Sequence, residues 1–257
     1  MTTAVANRFP AMEDVIGDIR ELIGRSQRIA TLAHRDADAD SLGSALGFAA
    51  SMRALGKAAV TVVPSPRPIM LDHLPGFAEV VDSAGDVDAL FTFDCPTLAR
   101  FGDQRALVER TPAVVNIDHH ISNESFGSIV LVDTEASATG QVVYRLLRAL
   151  DAPIDADVAS NLYAALFTDT GGFRHENTTE EALRLGADLV RLGADPAHIA
   201  LRSYKWRSVG QVRLEGLAVA AMRAELDGRL VWTAITETML ESAGAGLQEA
   251  CLLYTSD

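Results

Sequence analysis

Short apolar runs that end abruptly in acidic or imidazole side chains are the feature that most limits how this chain can fold. Arg28-Ile29-Ala30-Thr31-Leu32-Ala33 stops at His34. Asp88 to Phe93 stops at Asp94, and Ala113-Val114-Val115-Asn116-Ile117 stops at Asp118-His119-His120. Ala59 to Val63 and Ser128 to Val132 are two more runs of this kind. Helical patterns surround them: Met12 to Gly24, Ser41 to Leu55 with Gly56 as its stop, Thr139 to Leu150, Asp155 to Phe167, Thr179 to Leu192 and Pro196 to Ser203. Strands that are continuously apolar, and not alternating, belong to a sheet buried on both faces. The expected class is therefore α/β, a mostly parallel sheet with helices on both faces. Ligands of such sheets sit outside the carboxyl ends of the strands.

The pattern changes near Lys205-Trp206-Arg207. Val212 to Glu225 reads as a helix or a long strand, Asp227-Gly228 as a hairpin turn, and Arg229 to Ile235 as a strand. This predicts a division into residues 1–204 and 205–257, the latter a linker and the start of a smaller α/β domain. About fifty residues make a poor independent core. Leu252 to Asp257 carries no closing element, so the smaller domain is expected to be truncated or to end in a foreign tail.

The first 25 residues read as a polar lead and an amphipathic helix, not as a signal peptide. No apolar run reaches the roughly 18 residues that a membrane span needs. Cys95 and Cys251 make neither a disulfide framework nor a zinc site, so a cytoplasmic setting is expected. The net charge of −13 argues against passive binding to nucleic acid, which draws on Lys and Arg at the phosphates. A phosphate substrate would need bound metal ions to reverse the local field.

Four polar clusters stand at the ends of expected elements: His34-Arg35-Asp36-Ala37-Asp38-Ala39-Asp40, Asp94, Asp118-His119-His120, and Asp169 in Thr168-Asp169-Thr170-Gly171-Gly172. Carboxylates gathered in one crevice repel and raise one another's pKa, and dications resolve the conflict. Imidazole with carboxylate suits Mn, Fe, Zn or Co better than Ca, and the carboxylate-rich mixture leans towards Mn. Asp38, Asp40, Asp94 and Asp169 supply about four negative charges, which two dications balance. Such a pair is the known clamp for phosphoryl displacement.

The ordered set His34-x3-Asp38-x-Asp40-x2-Gly43-Ser44, Asp94, Asp118-His119-His120 and Thr168-Asp169-Thr170-Gly171 resembles the DHH phosphoesterase superfamily over residues 12 to about 205. Asp133-x-Glu135-Ala136-Ser137-Ala138-Thr139-Gly140 and the stretch from Thr168 to Thr179 resemble its bacterial nano-RNase and 3′-phosphoadenosine 5′-phosphate phosphatase branch. The resemblance implies that His34, Asp38 and Asp94 hold one metal, and that Asp40, Asp94, His119 and Asp169 hold the other, with Asp94 bridging. It implies a catalytic role for His120 beside the scissile phosphate, and a role for Asp118 in orienting a neighbouring imidazole. Two divalent ions, Mn²⁺ first, are the implied cofactors. Arg174, His175 and Arg35 are candidates for substrate phosphate contacts. Ser137 and Thr139 are expected to cap a helix, with a phosphate contact as the other reading. Two departures stand out. Ala37 replaces the family's usual proline, and the family's C-terminal Gly-Gly-Gly-His segment has no counterpart here.

The implied reaction is hydrolysis of short 5′-phosphorylated oligoribonucleotides, pApA-type dinucleotides included, to nucleoside 5′-monophosphates, and dephosphorylation of 3′-phosphoadenosine 5′-phosphate. The implied partners are those substrates; no membrane is involved, and a homodimer is compatible with the resemblance. One rival is an inorganic pyrophosphatase or exopolyphosphatase of the same superfamily; against it, Lys57 and Lys205 are the only lysines available to clamp pyrophosphate. The other is a metal- or nucleotide-binding protein without turnover.

Overall fold

The structure is a computed structural model that describes residues 9–246 and residue 250. Residues 1–8, Cys251 and the expected tail Leu252 to Asp257 lie outside the described residues. The chain divides into two compact units, Met1–Ser203 and Tyr204–Asp257.

The first unit is built on five parallel strands: β1 (Arg28–Leu32), β2 (Ala58–Val62), β3 (Ala89–Phe93), β4 (Val114–Asp118) and β5 (Ile129–Val132). Their order across the sheet is β2-β1-β3-β4-β5. Sequence order therefore reverses between β1 and β3, where Leu32 pairs with Thr92. Strands that diverge there leave a crevice at their carboxyl ends. His34 and Asp94 follow directly on these two strands.

The apolar runs are explained by two cores, one on each face. Ile29, Phe91, Phe93, Val115 and Ile117 join one core, while Ala30, Leu32, Leu90 and Val114 join the other with Phe101 and Leu107. The first face carries α2 (Ala39–Ala54), α4 (Thr139–Ala149) and α5 (Ala156–Asp169), with α1 (Met12–Arg25), α6 (Glu180–Arg191) and α7 (Pro196–Ala200) around them. The second is covered by a 3₁₀ segment, Leu98–Gln104, and by α3 (Arg105–Arg110), a helix too short to show a sequence period.

Helix α2 is buried on nearly every side, including Asp40, Ser41 and Ser44, as expected for a helix without a polar face. It is sandwiched against α5 at close range. A Cβ at Gly43 would stand 2.6 Å from the Asn161 carbonyl oxygen, and one at Gly140 would stand 2.6 Å from the Ala165 Cβ. Side chains at these two positions would push apart the three helices that carry the polar clusters.

The second unit holds α8 (Val209–Ala220), a hairpin of β6 (Arg223–Glu225) and β7 (Leu230–Trp232), and α9 (Glu237–Ala243). Val212 to Glu225 is thus helix first and strand last, and the expected strand Arg229 to Ile235 shrinks to three residues. Both strands are exposed, so no buried face imposes alternation on them. Leu214, Ala243 and Ala250 form the small core.

Gly43→Ala is expected to lower stability by about 1–3 kcal/mol, because the added methyl meets backbone and cannot be absorbed by a rotamer. Gly17→Ala, on an exposed face of α1 with open space around it, is expected to raise stability by roughly 0.5–1 kcal/mol. Urea unfolding midpoints of the two variants check both signs.

Candidate metal centre

Asp94 is the pivot of the site. It follows β3 with a left-handed backbone, φ 56°, which is uncommon for a residue with a Cβ. Its N–H donates to the Ile117 carbonyl at 3.0 Å, which fixes the turn. The carboxylate is almost fully buried, and its two oxygens face opposite ways. Oδ2 lies 3.5 Å from His34 Nε2; Oδ1 lies 3.5 Å from His119 Nε2 and accepts a 3.0 Å hydrogen bond from Thr139 Oγ1.

Each histidine is aimed by its other nitrogen. His34 Nδ1 donates to the Arg35 carbonyl at 2.7 Å, and His119 Nδ1 donates to the Ala136 carbonyl at 3.1 Å. Both Nε2 lone pairs are thereby left for the centre. His34 Nε2 also faces Asp38 Oδ1 at 3.8 Å. His119 Nε2 faces Asp40 Oδ2 at 3.9 Å and Asp169 Oδ2 at 3.6 Å. The ligand atoms of His34, Asp38 and Asp94 all lie within 4.8 Å of one another, and so do those of Asp40, His119 and Asp169.

These separations are too long for hydrogen bonds. They are close to the spacing of two ligand atoms that share one ion at about 2.1 Å, roughly 3.0–3.6 Å for angles of 90–120°. The donor set, two imidazoles with lone pairs inward and four carboxylates, therefore suits divalent cations, and Asp94 belongs to the first group while also grouping with His119 and His120.

Asp40 enters the site from the first turn of α2. Helix α4 starts at Ala138, which has no side chain to cap it. Asp40 supplies the cap from a distance: Oδ2 accepts from the Thr139 N–H at 2.7 Å and Oδ1 from the Gly140 N–H at 2.8 Å. The expected capping role of Ser137 and Thr139 is corrected accordingly. Ser137 Oγ donates to the Asn177 carbonyl, and Thr139 Oγ1 positions Asp94. Asp38 does cap α2, accepting from the Ser41 N–H at 2.9 Å, while remaining at the centre.

Asp118 is wholly buried. Its Oδ1 accepts from His120 Nδ1 at 2.7 Å and from the His119 N–H at 2.7 Å; its Oδ2 accepts from Asn123 Nδ2 at 2.6 Å. Asn123 also donates to Asn116 on β4. Asp118 thus orients His120, whose Nδ1 lies 3.5 Å from Asp94 Oδ1.

The charges are unequal in their settings. Burial, reinforced by the charges of Asp94, Asp169 and Asp38, raises the Asp40 pKa well above the carboxylate range. Burial, opposed by His119, still pushes Asp169 up to about 6. Burial would raise Asp94 too, but the surrounding histidines carry it down to about 2. The hydrogen bond that His120 donates to Asp118 raises the His120 pKa despite partial burial. Burial disfavours the His34 cation, but Asp94 and Asp38 outweigh it and its pKa is raised.

The three expected phosphate contacts lie at the rim. Arg174 Nε donates to the Gly171 carbonyl at 2.6 Å, the His175 ring packs on Gly171, and Arg35 is exposed with its stem beside Gly102. One cation that the motifs did not single out lies further in. Arg100 Nη2 stands 3.2 Å from His34 Nε2. Its position depends on a turn, so spacing along the chain carried no signal for it.

Comparison with known proteins places the chain. The DHH family, N-terminal domain, matches residues 28–166, more than half of the chain. The bifunctional oligoribonuclease and PAP phosphatase NrnA of Thermus thermophilus is 34% identical over 82% of this chain and 63% of its own length. The protein of the same name from Bacillus subtilis is 25% identical over 86% of this chain and 70% of its own. The chain thus spans somewhat under two thirds of the Thermus relative. An exopolyphosphatase-related protein from Bacteroides fragilis has the same fold, with a TM-score of 0.86 and 24% identity over 93% of this chain and 74% of that one.

Metal binding must displace the protons that Asp40 and Asp169 retain. Manganese affinity is therefore expected to fall as pH drops through about 6, with protons released on binding at that pH. Calorimetry in buffers of different ionisation enthalpy reads the proton count. The chain is a member of the DHH family.

Proposed function

We propose that this chain is a phosphoesterase that uses two divalent ions, Mn²⁺ first, to hydrolyse short 5′-phosphorylated oligoribonucleotides to nucleoside 5′-monophosphates. Removal of the 3′-phosphate from 3′-phosphoadenosine 5′-phosphate uses the same centre. The observation that carries this reading is the split carboxylate of Asp94, with one oxygen towards His34 and the other towards His119. The names of the Thermus and Bacillus relatives support the substrate class. Residues 1–204 carry the reaction in this reading.

When bound, a pair of dications supplies Lewis acidity at phosphorus and a lowered pKa for attacking water. The protein side chains do the rest. His34, Asp38, Asp40, Asp94, His119 and Asp169 hold the ions at fixed spacing. Thr139 and the α4 N–H groups keep Asp94 and Asp40 from rotating. His120 is bound to Asp118 through Nδ1, which leaves Nε2 for substrate, and that hydrogen bond raises its pKa and favours a proton at Nε2. It delivers that proton to the leaving ribose oxygen as the phosphorus–oxygen bond breaks.

AMP release from pApA is expected with Mn²⁺, to be abolished by EDTA and by His119→Ala. Release of phosphate from pyrophosphate, with none of AMP from pApA, would replace this reading with the pyrophosphatase one. Metal binding with no hydrolysis of either would leave a binding protein.

His120→Gln is expected to lower kcat on pApA by roughly 10²–10⁴ while leaving Mn²⁺ affinity intact. A p-nitrophenyl phosphodiester needs no proton at its leaving oxygen, so the loss there is smaller. Equal losses on both substrates would remove His120 from the acid role.

A further inference from the structure

We propose that Arg100 is a substrate-binding residue whose guanidinium holds a phosphate oxygen of the substrate against the metal centre; this rests on the phosphoesterase reading above. Arg100 lies on the 3₁₀ segment Leu98–Gln104, six residues after Asp94 and at the crevice between β1 and β3. Its backbone is tied to both sides of that crevice. The Arg100 N–H donates to the Thr97 carbonyl at 3.2 Å, and its carbonyl accepts from the Arg35 N–H at 2.7 Å. The loops after β1 and β3 are thus clamped together at this residue.

The side chain turns inward. Nη2 stands 3.2 Å from His34 Nε2 and 3.4 Å from Nδ1, on the ring whose Nε2 faces Asp94 and Asp38. Four carboxylates crowd this centre, yet among the described residues Arg100 forms no ion pair with any of them. Buried or half-buried arginines are ordinarily paired with carboxylate.

The guanidinium beside His34 therefore has no carboxylate partner among the described residues, and an incoming phosphate is the anion that pairs with it. The planar fork of arginine suits that task, since it meets two phosphate oxygens with parallel N–H donors. The arginine of the later turn, Arg174, spends its Nε on the Gly171 carbonyl, and Arg35 is exposed at the rim. Neither takes the position that Arg100 holds beside His34.

The experiment is titration of the Mn²⁺-loaded protein with 5′-AMP and with inorganic phosphate, by calorimetry, for wild type, Arg100→Gln and Arg100→Lys. Arg100→Gln is expected to weaken AMP binding roughly 10- to 100-fold, the usual weight of a hydrogen bond to a charged group, at unchanged Mn²⁺ affinity and thermal midpoint. Arg100→Lys is expected to recover part of the loss, since it keeps the charge without the fork. Undiminished AMP and phosphate affinity in Arg100→Gln overturns the proposal. So does a parallel fall in Mn²⁺ affinity, which would make Arg100 a support for His34. A wild type that binds neither ligand overturns it as well. Arg100-dependent binding of AMP without AMP release from pApA upholds the role of Arg100 and defeats the phosphoesterase reading instead.

Discussion

Two backbone N–H groups at the start of α4 hold the Asp40 carboxylate, and much of the site depends on that grip. Asp40 is a buried carboxyl group on α2, and such a polar group is tolerated only when hydrogen-bonded or paired. Helix α4 in turn begins at an alanine and has orphan donors to satisfy. Each element meets the other's need. The pairing fixes α4 beside α2, which brings Thr139 to Asp94, and it lets Gly140 approach α5 at Ala165. Helix α5 then ends at Asp169 within reach of His119. One carboxylate thus sets the spacing of three helices and of the acidic side chains they bring to the candidate centre.

The same economy holds on the β4 side. Asp118 takes hydrogen bonds from both histidines that follow it and from Asn123, so a single buried carboxylate orients the turn that presents His119 and His120. Adjacent histidines end in different places. His119 swings to the Ala136 carbonyl and faces Asp40 and Asp169, while His120 stays on Asp118. The hydrogen-bond partner of each Nδ1 is what separates the two rings, and in the proposed function it divides a metal ligand from a proton donor.

How much of this was legible in the sequence follows from which forces act locally. The five strands were readable because a sheet covered on both faces needs mostly apolar runs; Ala89–Phe93 and Val114–Ile117 each admit one polar residue, Thr92 and Asn116, which hydrogen-bond to each other. The side chains that gather at the candidate centre were readable because they stand at or near the ends of elements. Thr139 was misassigned as a cap because the true cap, Asp40, lies 99 residues away and no local rule reaches that far. Arg100 was missed for the same reason: its partner is His34, and the turn that aims it has no period. In the second unit the hairpin strands are exposed on both sides, so no alternation marked their ends.

A centre of this kind is at odds with its own stability, and the sheet order explains why the fold can carry it. Four carboxylates within one crevice raise Asp40 and Asp169, and a left-handed aspartate adds backbone strain that only a rigid surround can hold. The reversal between β1 and β3 supplies that surround. Asp94 is anchored to Ile117 on one side, while Arg35 and Arg100 clasp the loops on the other. Repulsion that would open a surface loop is here set against a parallel sheet packed on both faces. The carboxylates cannot separate, so they either keep protons or share cations. A site that binds dications and a site that is costly when empty of them are, in this arrangement, the same physical object.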